Sequence, residues 1–540
     1  MTSLGAMQDW PLRVMRLVDH AEREHGLREI VSAWSDGAIT RTNWRTIAHD
    51  ARRMAHALEA AGIKPGDRIA TLAMNHAHHL VAWYGAIGVG GVLHTINPRL
   101  HDDQLVYIAN HAEDRVLLYD RVFAEAVERL KPQLGTIEQF ICFDADDGRG
   151  EFTQWLSAHD GDFRWAEGDE RDPCGLCYTS GTTGNPKGVL YSHRSTMLHA
   201  LAEVAPDCFN LSARACVMPI VPMFHANAWG VPWAAPLTGC KLVLSADYRP
   251  AQLCQLFRDE AVSHSAGVPT VWLGLIDHVE QTGADLGALK FVTIGGSAAP
   301  RAMISWFAKR GIEVGHAWGM TETSPIGTLG GKPAGWEKMS DAAQVDYTAR
   351  QGRVPFGIEL RLLDDQDKEL PRDGVSTGRL QVRGPWVIRR YFREPSDAVG
   401  SGNWFDTGDV AALHPDGTMQ ITDRAKDVIK SGGEWISSIE LENAAMGCSG
   451  VAEAAAIGMP HPKWDERPLL LVVRREGSDV TAEAIRAHLA TQVAKWWLPD
   501  AIEFVAELPH SATGKVLKRN LREQFQDYVF DTSVEVASRI

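Results

Sequence analysis

The run Tyr178-Thr179-Ser180-Gly181-Thr182-Thr183-Gly184-Asn185-Pro186-Lys187-Gly188 packs hydroxyls, glycines and one lysine between two apolar segments, Gly175 to Tyr178 and Val189 to Tyr191. Glycines let backbone N–H groups approach anionic oxygens, hydroxyls add donors, and the lysine supplies charge. The chemistry implied is phosphate binding. A Walker A loop would place Ser or Thr directly after its lysine and a helix directly after that. Here Gly188 follows Lys187, and the next residues read as a strand. A solvated Ser/Thr/Gly loop is the alternative reading. Two other clusters carry less. Cys174 and Cys177 have CxxC spacing, but no second pair and no nearby pair of histidines, so they read as small buried strand residues. His76, His78 and His79 lack a carboxylate or cysteine at ligand spacing and read as the surface of a helix N-terminus.

With this string the chain resembles the adenylate-forming superfamily, which unites acyl-CoA synthetases, luciferase-like enzymes and nonribosomal adenylation domains. The likeness runs in order along nearly the whole chain. It implies that Thr179, Ser180, Gly181, Thr182, Thr183, Gly184 and Lys187 hold the phosphates of ATP. His316-Ala317-Trp318-Gly319-Met320-Thr321-Glu322 is similar to a second signature, with Thr321 at the α-phosphate and Thr179 and Glu322 at Mg2+, which would bridge the carboxylate to phosphate oxygens. Gly295 to Pro300 resembles the adenine wall, with Gly296, Ser297 and Ala298 against the ring. Trp404 to Asp409 resembles the ribose signature, Asp409 accepting from both hydroxyls, with Thr422 and Arg424 beside it. Pro509 to Lys515 resembles the catalytic-lysine loop. Lys515 would offset the charge that builds as a carboxylate meets the α-phosphate. Taken singly, Glu322 reads as an exposed loop carboxylate, Asp409 as a turn residue and Lys515 as a solvated charge.

The resemblance also implies two half-reactions served by two faces of a mobile C-terminal domain. Lys426, beside Asp427, is the expected hinge. Lys430, Gly432, Gly433, Glu434 and Trp435 would form the face for coenzyme A, the two glycines clearing a path for its arm. Lys463, Lys495, Trp496 and Lys518 are further candidates for its nucleotide end, as is Trp435. Pro222 to Gly230 resembles the acyl-tunnel segment. His225 stands where amino-acid-activating members place an Asp, which disfavours an amino acid substrate. With Trp229, Val268, Pro269, Thr270, Gly296 and Trp318 the pocket is expected to be apolar and short. Within the family the chain resembles the fatty-acid and 3-methylmercaptopropionate–CoA ligases. The expected reaction is therefore AMP-forming ligation of a short- to medium-chain acid to coenzyme A, with Lys515, His225 and Glu322 as the catalytic set. Two alternatives stand beside it: donation of the adenylate to a carrier protein or an oxygenase-type reaction, and a nonenzymatic nucleotide binder. A carrier would need a Gly-x-x-Ser-like site, for which the residues after Lys518 leave no room.

These residues need a scaffold of several sheets. At 540 residues, with 45% apolar and 23% charged, the chain is long enough for at least two domains. A formal charge of −15 argues against nucleic acid as a partner. Eight cysteines make no disulfide framework. Met1 to Val18 lacks the pattern of a signal peptide, and no apolar run is long enough for a membrane span, so a cytoplasmic enzyme is expected, with a homodimer as its assembly. The first 350 residues alternate helix and strand: a helix over Thr42 to Ala61, a strand over Arg68 to Met74, a helix over His78 to Val89. That is an α/β pattern with largely parallel sheets. From Ile358 to Thr422 β-rich segments alternate with Asp/Gly turns, as in a small barrel or twisted sheet. Ser437 to Glu440 carries a capping-box signature, and Thr481 to Trp497 reads as one helix. The expected division is 1–425, a large domain of stacked α/β sheets with a β-barrel-like part, and 426–540, a smaller mobile α+β domain.

Overall fold

The computed structural model describes residues 5–143, 150–179, 185–431, 434–510 and 515–530. Four sheets organise them. An eight-stranded sheet runs in the order Ile326–Leu329, Glu313–Gly319, Phe291–Ile294, His264–Gly267, Cys216–Pro219, Lys241–Ser245, Glu29–Ala33, Ile39–Asn43. All its neighbours are parallel except the pair at each end. A six-stranded sheet runs Gln139–Phe143, Asp114–Asp120, Arg68–Leu72, Val92–Thr95, Pro173–Tyr178, Gly188–Ser192, and only the last pair is antiparallel. Parallel strands must be covered on both faces. The helices Trp44–Ala60 and Ala77–Gly88 do this in a core shared by both sheets. They cross closely: a methyl on Gly85 would lie 2.7 Å from the Met54 side chain.

The β-rich stretch is a four-stranded antiparallel sheet, Glu359–Leu363, Thr377–Arg383, Phe405–Leu413, Met419–Arg424. A final five-stranded sheet begins with Ile429–Ser431 and packs its own core. No helix among the described residues is long and apolar enough to cross a membrane.

Two sequence expectations change. His76 and His79 are fully buried instead of forming a surface. The carboxylate missing from the local sequence comes from another strand: His76 Nε2 lies 2.7 Å from Asp120, and its Nδ1 accepts from His79 N to cap the helix. His79 is held by Thr71 and the Met74 carbonyl. No metal-binding group of three such side chains occurs among the described residues. The expected single helix over Thr481 to Trp497 stops at Leu489, and a separate short turn covers Lys495–Trp497. The reason is Arg467. Its buried guanidinium takes the carbonyls of Trp496 (2.9 Å) and Leu498 (3.0 Å), along with Asp500 and Ser431, and so draws this segment onto the sheet.

Arg467→Ala would remove a buried guanidinium from partly buried Asp500 and leave the Trp496 and Leu498 carbonyls without its donors. A loss of about 3–5 kcal/mol is expected for the last sheet, read as an early transition in denaturant unfolding; a single unshifted transition would count against that role.

Candidate active site

The end of the Glu313–Gly319 strand, the segment after Phe405 and Arg424 meet at one carboxylate. Asp409 accepts from Trp318 Nε1 at 2.9 Å through one oxygen and pairs with Arg424 Nε at 2.9 Å through the other. The strands carrying Asp409 and Arg424 are in register with each other. Gly327 makes room for the indole, since a methyl there would lie 2.2 Å from the Trp318 ring. Thr422 spends its hydroxyl on the Val410 carbonyl.

Thr179 and Lys187 stand at the two ends of the glycine-rich loop. Their backbones pair at 2.9 Å, and Thr179 Oγ1 accepts from Lys187 N at 3.2 Å. Ser180, Gly181, Thr182, Thr183 and Gly184 lie outside the described residues. Glu322 is buried, and burial raises its pKa although the Tyr391 hydroxyl opposes the rise. That hydroxyl donates to Glu322 Oε1 at 2.8 Å. Thr321 is held through its carbonyl by Tyr191 at 2.8 Å.

His225 and Thr179 line one small recess with Thr95, Ile108, Tyr178 and Phe224. Asn75 sets the segment before His225, donating to the Pro219 and Val221 carbonyls and accepting from Met223 N at 2.6 Å. After His225 the chain enters a left-handed run, with φ from 35° to 54° over Ala226 to Trp229 and 90° at Gly230. Non-glycine residues rarely adopt this region, and tertiary contacts must hold it. Asn227 supplies them, accepting from Thr95 and from Cys177 Sγ at 3.2 Å. The CxxC cysteines are thus inert strand residues, their thiols pushed up by burial to about 12 and about 11. The run turns the Trp229 indole onto Gly295 and Gly296, 3.2 and 4.0 Å from where methyls would stand, and Val268 closes on Gly296 at 3.1 Å. Gly296 itself has φ +84°.

Lys515 comes from beyond the last sheet and keeps solvent access, yet it lies within electrostatic reach of Arg424, Asp409, Glu322 and His225. Crowding by protein, then repulsion from Arg424, lowers its pKa from 10.5 to about 8. Burial, with Lys515 and Arg99 nearby, takes His225 down to about 4, so it is neutral at pH 7. The last sheet is tied on by Asp423, which accepts from Ser438 N and Oγ, and by an exposed Arg475–Asp277 pair at 3.0 Å. Lys426 lies in the turn Ala425–Asp427 that separates the two regions.

Some expected contacts take other forms. His316 does not face an open site: its Nε2 accepts from Ala299 N at 3.1 Å and its Nδ1 meets the Ala349 carbonyl at 3.0 Å, so it braces the Ser297–Ala298 loop from behind. Lys518 is engaged internally with Glu442 (2.7 Å) and Ser438, and the half-buried Trp496 ring packs against the core of the last sheet. Lys430, Lys463 and Lys495 are exposed. Gly432 and Gly433, and the side chains of Glu434 and Trp435, lie outside the described residues. Sequence reasoning missed Tyr391, Asn75, Asn227 and Tyr191. Asn227 and Tyr191 lay inside quoted segments, but no role was drawn for either from the string.

The AMP-binding enzyme family matches residues 18–392, and its C-terminal domain matches residues 440–515. The chain is 48% identical to a 3-methylmercaptopropionyl-CoA ligase of Ruegeria lacuscaerulensis, over 97% of this chain and 99% of that protein. It is 44% identical to a medium-chain-fatty-acid–CoA ligase of Ectopseudomonas oleovorans, over 99% and 100%. In fold it is similar to an anthranilate CoA ligase solved with anthranoyl-AMP: TM-score 0.85, 23% identity, 96% of this chain and 99% of that one.

Because its pKa is depressed to about 8, Lys515 carries its full charge below that pH and loses it above. An amine-selective reagent should label it with a midpoint near pH 8, read by peptide mass spectrometry. Arg424→Ala should move the midpoint up towards 10.5. A midpoint near 10.5 in the parent protein would remove the crowded-cation description.

Proposed function

The chain belongs to the AMP-binding enzyme family, and from that premise we propose how this site acts as an AMP-forming acid–CoA ligase. The observation that carries the reading is the convergence of Lys515, from the far end of the chain, on Glu322, Asp409, Arg424 and His225. ATP lies with its phosphates at Thr179 and Lys187, its ribose on Asp409 and its adenine along Gly296–Ala298. Asp409 presents a fixed two-oxygen acceptor because Trp318 and Arg424 orient it.

The donor set fits a divalent cation. Glu322 is a buried carboxylate whose pKa burial raises against the opposing pull of the Tyr391 hydroxyl, Arg424 and Lys515, and Tyr391 donates to its Oε1. One carboxylate, the Thr179 hydroxyl and substrate phosphates are what Mg2+ uses; when bound it neutralises charge on the phosphate oxygens. The acid enters past His225. Lys515 offsets the two anions as the carboxylate oxygen attacks the α-phosphorus and pyrophosphate leaves. A neutral His225 adds no charge that would hold the acid back as an ion pair. In the second half-reaction the thiol of coenzyme A attacks the acyl carbon, its proton passes to solvent, and AMP departs.

The domain division falls at 425/426, with Lys426 as hinge, and the face from Lys430 to Trp435 serves coenzyme A. The acid is short- to medium-chain. Trp229 against Gly295 and Gly296 supports a shallow apolar pocket, and the relatives named for 3-methylmercaptopropionate and medium-chain acids agree with it.

AMP formation should be measured across acids from acetate to dodecanoate, with 3-methylmercaptopropionate and aryl acids, with and without coenzyme A. Turnover requiring both acid and coenzyme A is expected; pyrophosphate release indifferent to coenzyme A would overturn the ligase reading. Lys515→Ala should slow adenylate formation by roughly 10²-fold or more and thioester formation from preformed adenylate far less. Equal losses would reject the two-face assignment. Lys426→Pro should impair the thioester step more than adenylation, and unchanged kinetics in both would remove it as the hinge.

A further inference from the structure

The segment Ile388 to Arg393 belongs to no sheet or helix of the fold, yet it touches both halves of the phosphate site. At one end Ile388 N donates to the Glu322 carbonyl at 2.8 Å. At the other, Phe392 N donates to the carbonyl of Gly188, the residue after Lys187, at 2.8 Å. A methyl on Gly188 would lie 3.0 Å from Phe392 Cβ, so the two backbones run close together. Arg393 fastens the segment to Glu113 at 2.6 Å.

Between these anchors stands Tyr391. Its hydroxyl donates to Glu322 Oε1 at 2.8 Å, and its ring carries the Lys187 ammonium 5.0 Å from the centroid. One side chain therefore contacts both the anion and the cation, through different parts of the ring system. A phenol suits this. Its O–H is a donor to carboxylate, and its π face attracts an ammonium. The contact also fixes the carboxylate at one oxygen, Oε1, and so limits how its plane can turn.

We propose that Tyr391 is a positioning residue of the metal and polyphosphate site, setting the spacing of Glu322 and Lys187 so that one faces the divalent cation and the other the phosphate chain. The proposal rests on the reading of Glu322 as a metal ligand given above. The partners of metal ligands orient them and commonly matter roughly 10- to 100-fold in metal affinity. Tyr391 is the side chain in that relation to Glu322, while its ring gives Lys187 a seat that persists before any metal arrives.

The two contacts separate by mutation. Tyr391→Phe deletes the hydroxyl and keeps the ring; Tyr391→Leu deletes both. Mn2+ can replace Mg2+ as a paramagnetic probe, with bound and free Mn2+ read by electron spin resonance in the presence of ATP and no acid, so that no turnover occurs. ATP affinity without metal is read by calorimetry. Tyr391→Phe should weaken Mn2+ binding in the ATP complex roughly 10-fold and leave metal-free ATP affinity within about twofold of the parent. Tyr391→Leu should also lose about threefold in metal-free ATP affinity. Unchanged Mn2+ affinity in Tyr391→Phe, with Glu322→Gln strongly weakened, overturns the role of Tyr391 alone. Unchanged Mn2+ affinity in Glu322→Gln overturns the metal reading itself. Equal loss of metal-free ATP affinity in the Phe and Leu variants would overturn the ring's part.

Discussion

Asp409 is the constraint on which the site is built. Its two oxygens bind an indole from the end of the eight-stranded sheet and a guanidinium from the last residue of the four-stranded sheet. Three segments distant in sequence thereby share one geometry. The carboxylate is almost fully buried, and an unpaired buried anion is costly, so each partner is obligatory. Gly327 is required for the same reason, because any side chain there would push the Trp318 ring away from its acceptor.

Around this anchor stand charges of both signs. Lys187, Arg424 and Lys515 arrive from three different parts of the chain, and the fixed anions among them are Glu322 and Asp409. Burial, and after it repulsion from Arg424, depresses the pKa of Lys515, while Asp409 and Glu322 oppose the fall. An anion entering between the two cations would relieve that repulsion. Lys515 follows the last strand of a separately packed sheet, so it reaches this group from a part of the fold that does not hold Asp409 and its partners.

The turn that follows His225 is governed by backbone shape more than charge. The left-handed run from Ala226 to Gly230 is unfavourable in isolation, and Asn227 offsets it through two strands of the six-stranded sheet. Its product is the placement of one indole against two glycines. His225, at the start of the run, is kept neutral by burial and neighbouring cations. The same turn therefore shapes the pocket and sets its electrical character.

Periodicity and local strings were enough to determine the α/β architecture, the β-rich insertion, the helix capped by Ser437 and the family to which the chain belongs. Those are short-range features, written as spacing and residue type. Their limits were also short-range. His76 read as surface because Asp120, which satisfies it inside, lies 44 positions away. The helix after Thr481 was read too long because Arg467, which draws out its end, sits on a neighbouring strand. His316 stands in a signature string but braces a loop, since both ring nitrogens meet backbone from elsewhere. Tyr391 had no signal at all, because its meaning depends on two residues, 69 and 204 positions away. What the sequence by itself determined was which groups could do the chemistry. Only the tertiary structure decided which of them face one another, because burial, register and the pairing of charges are properties of contacts and not of the order of residues.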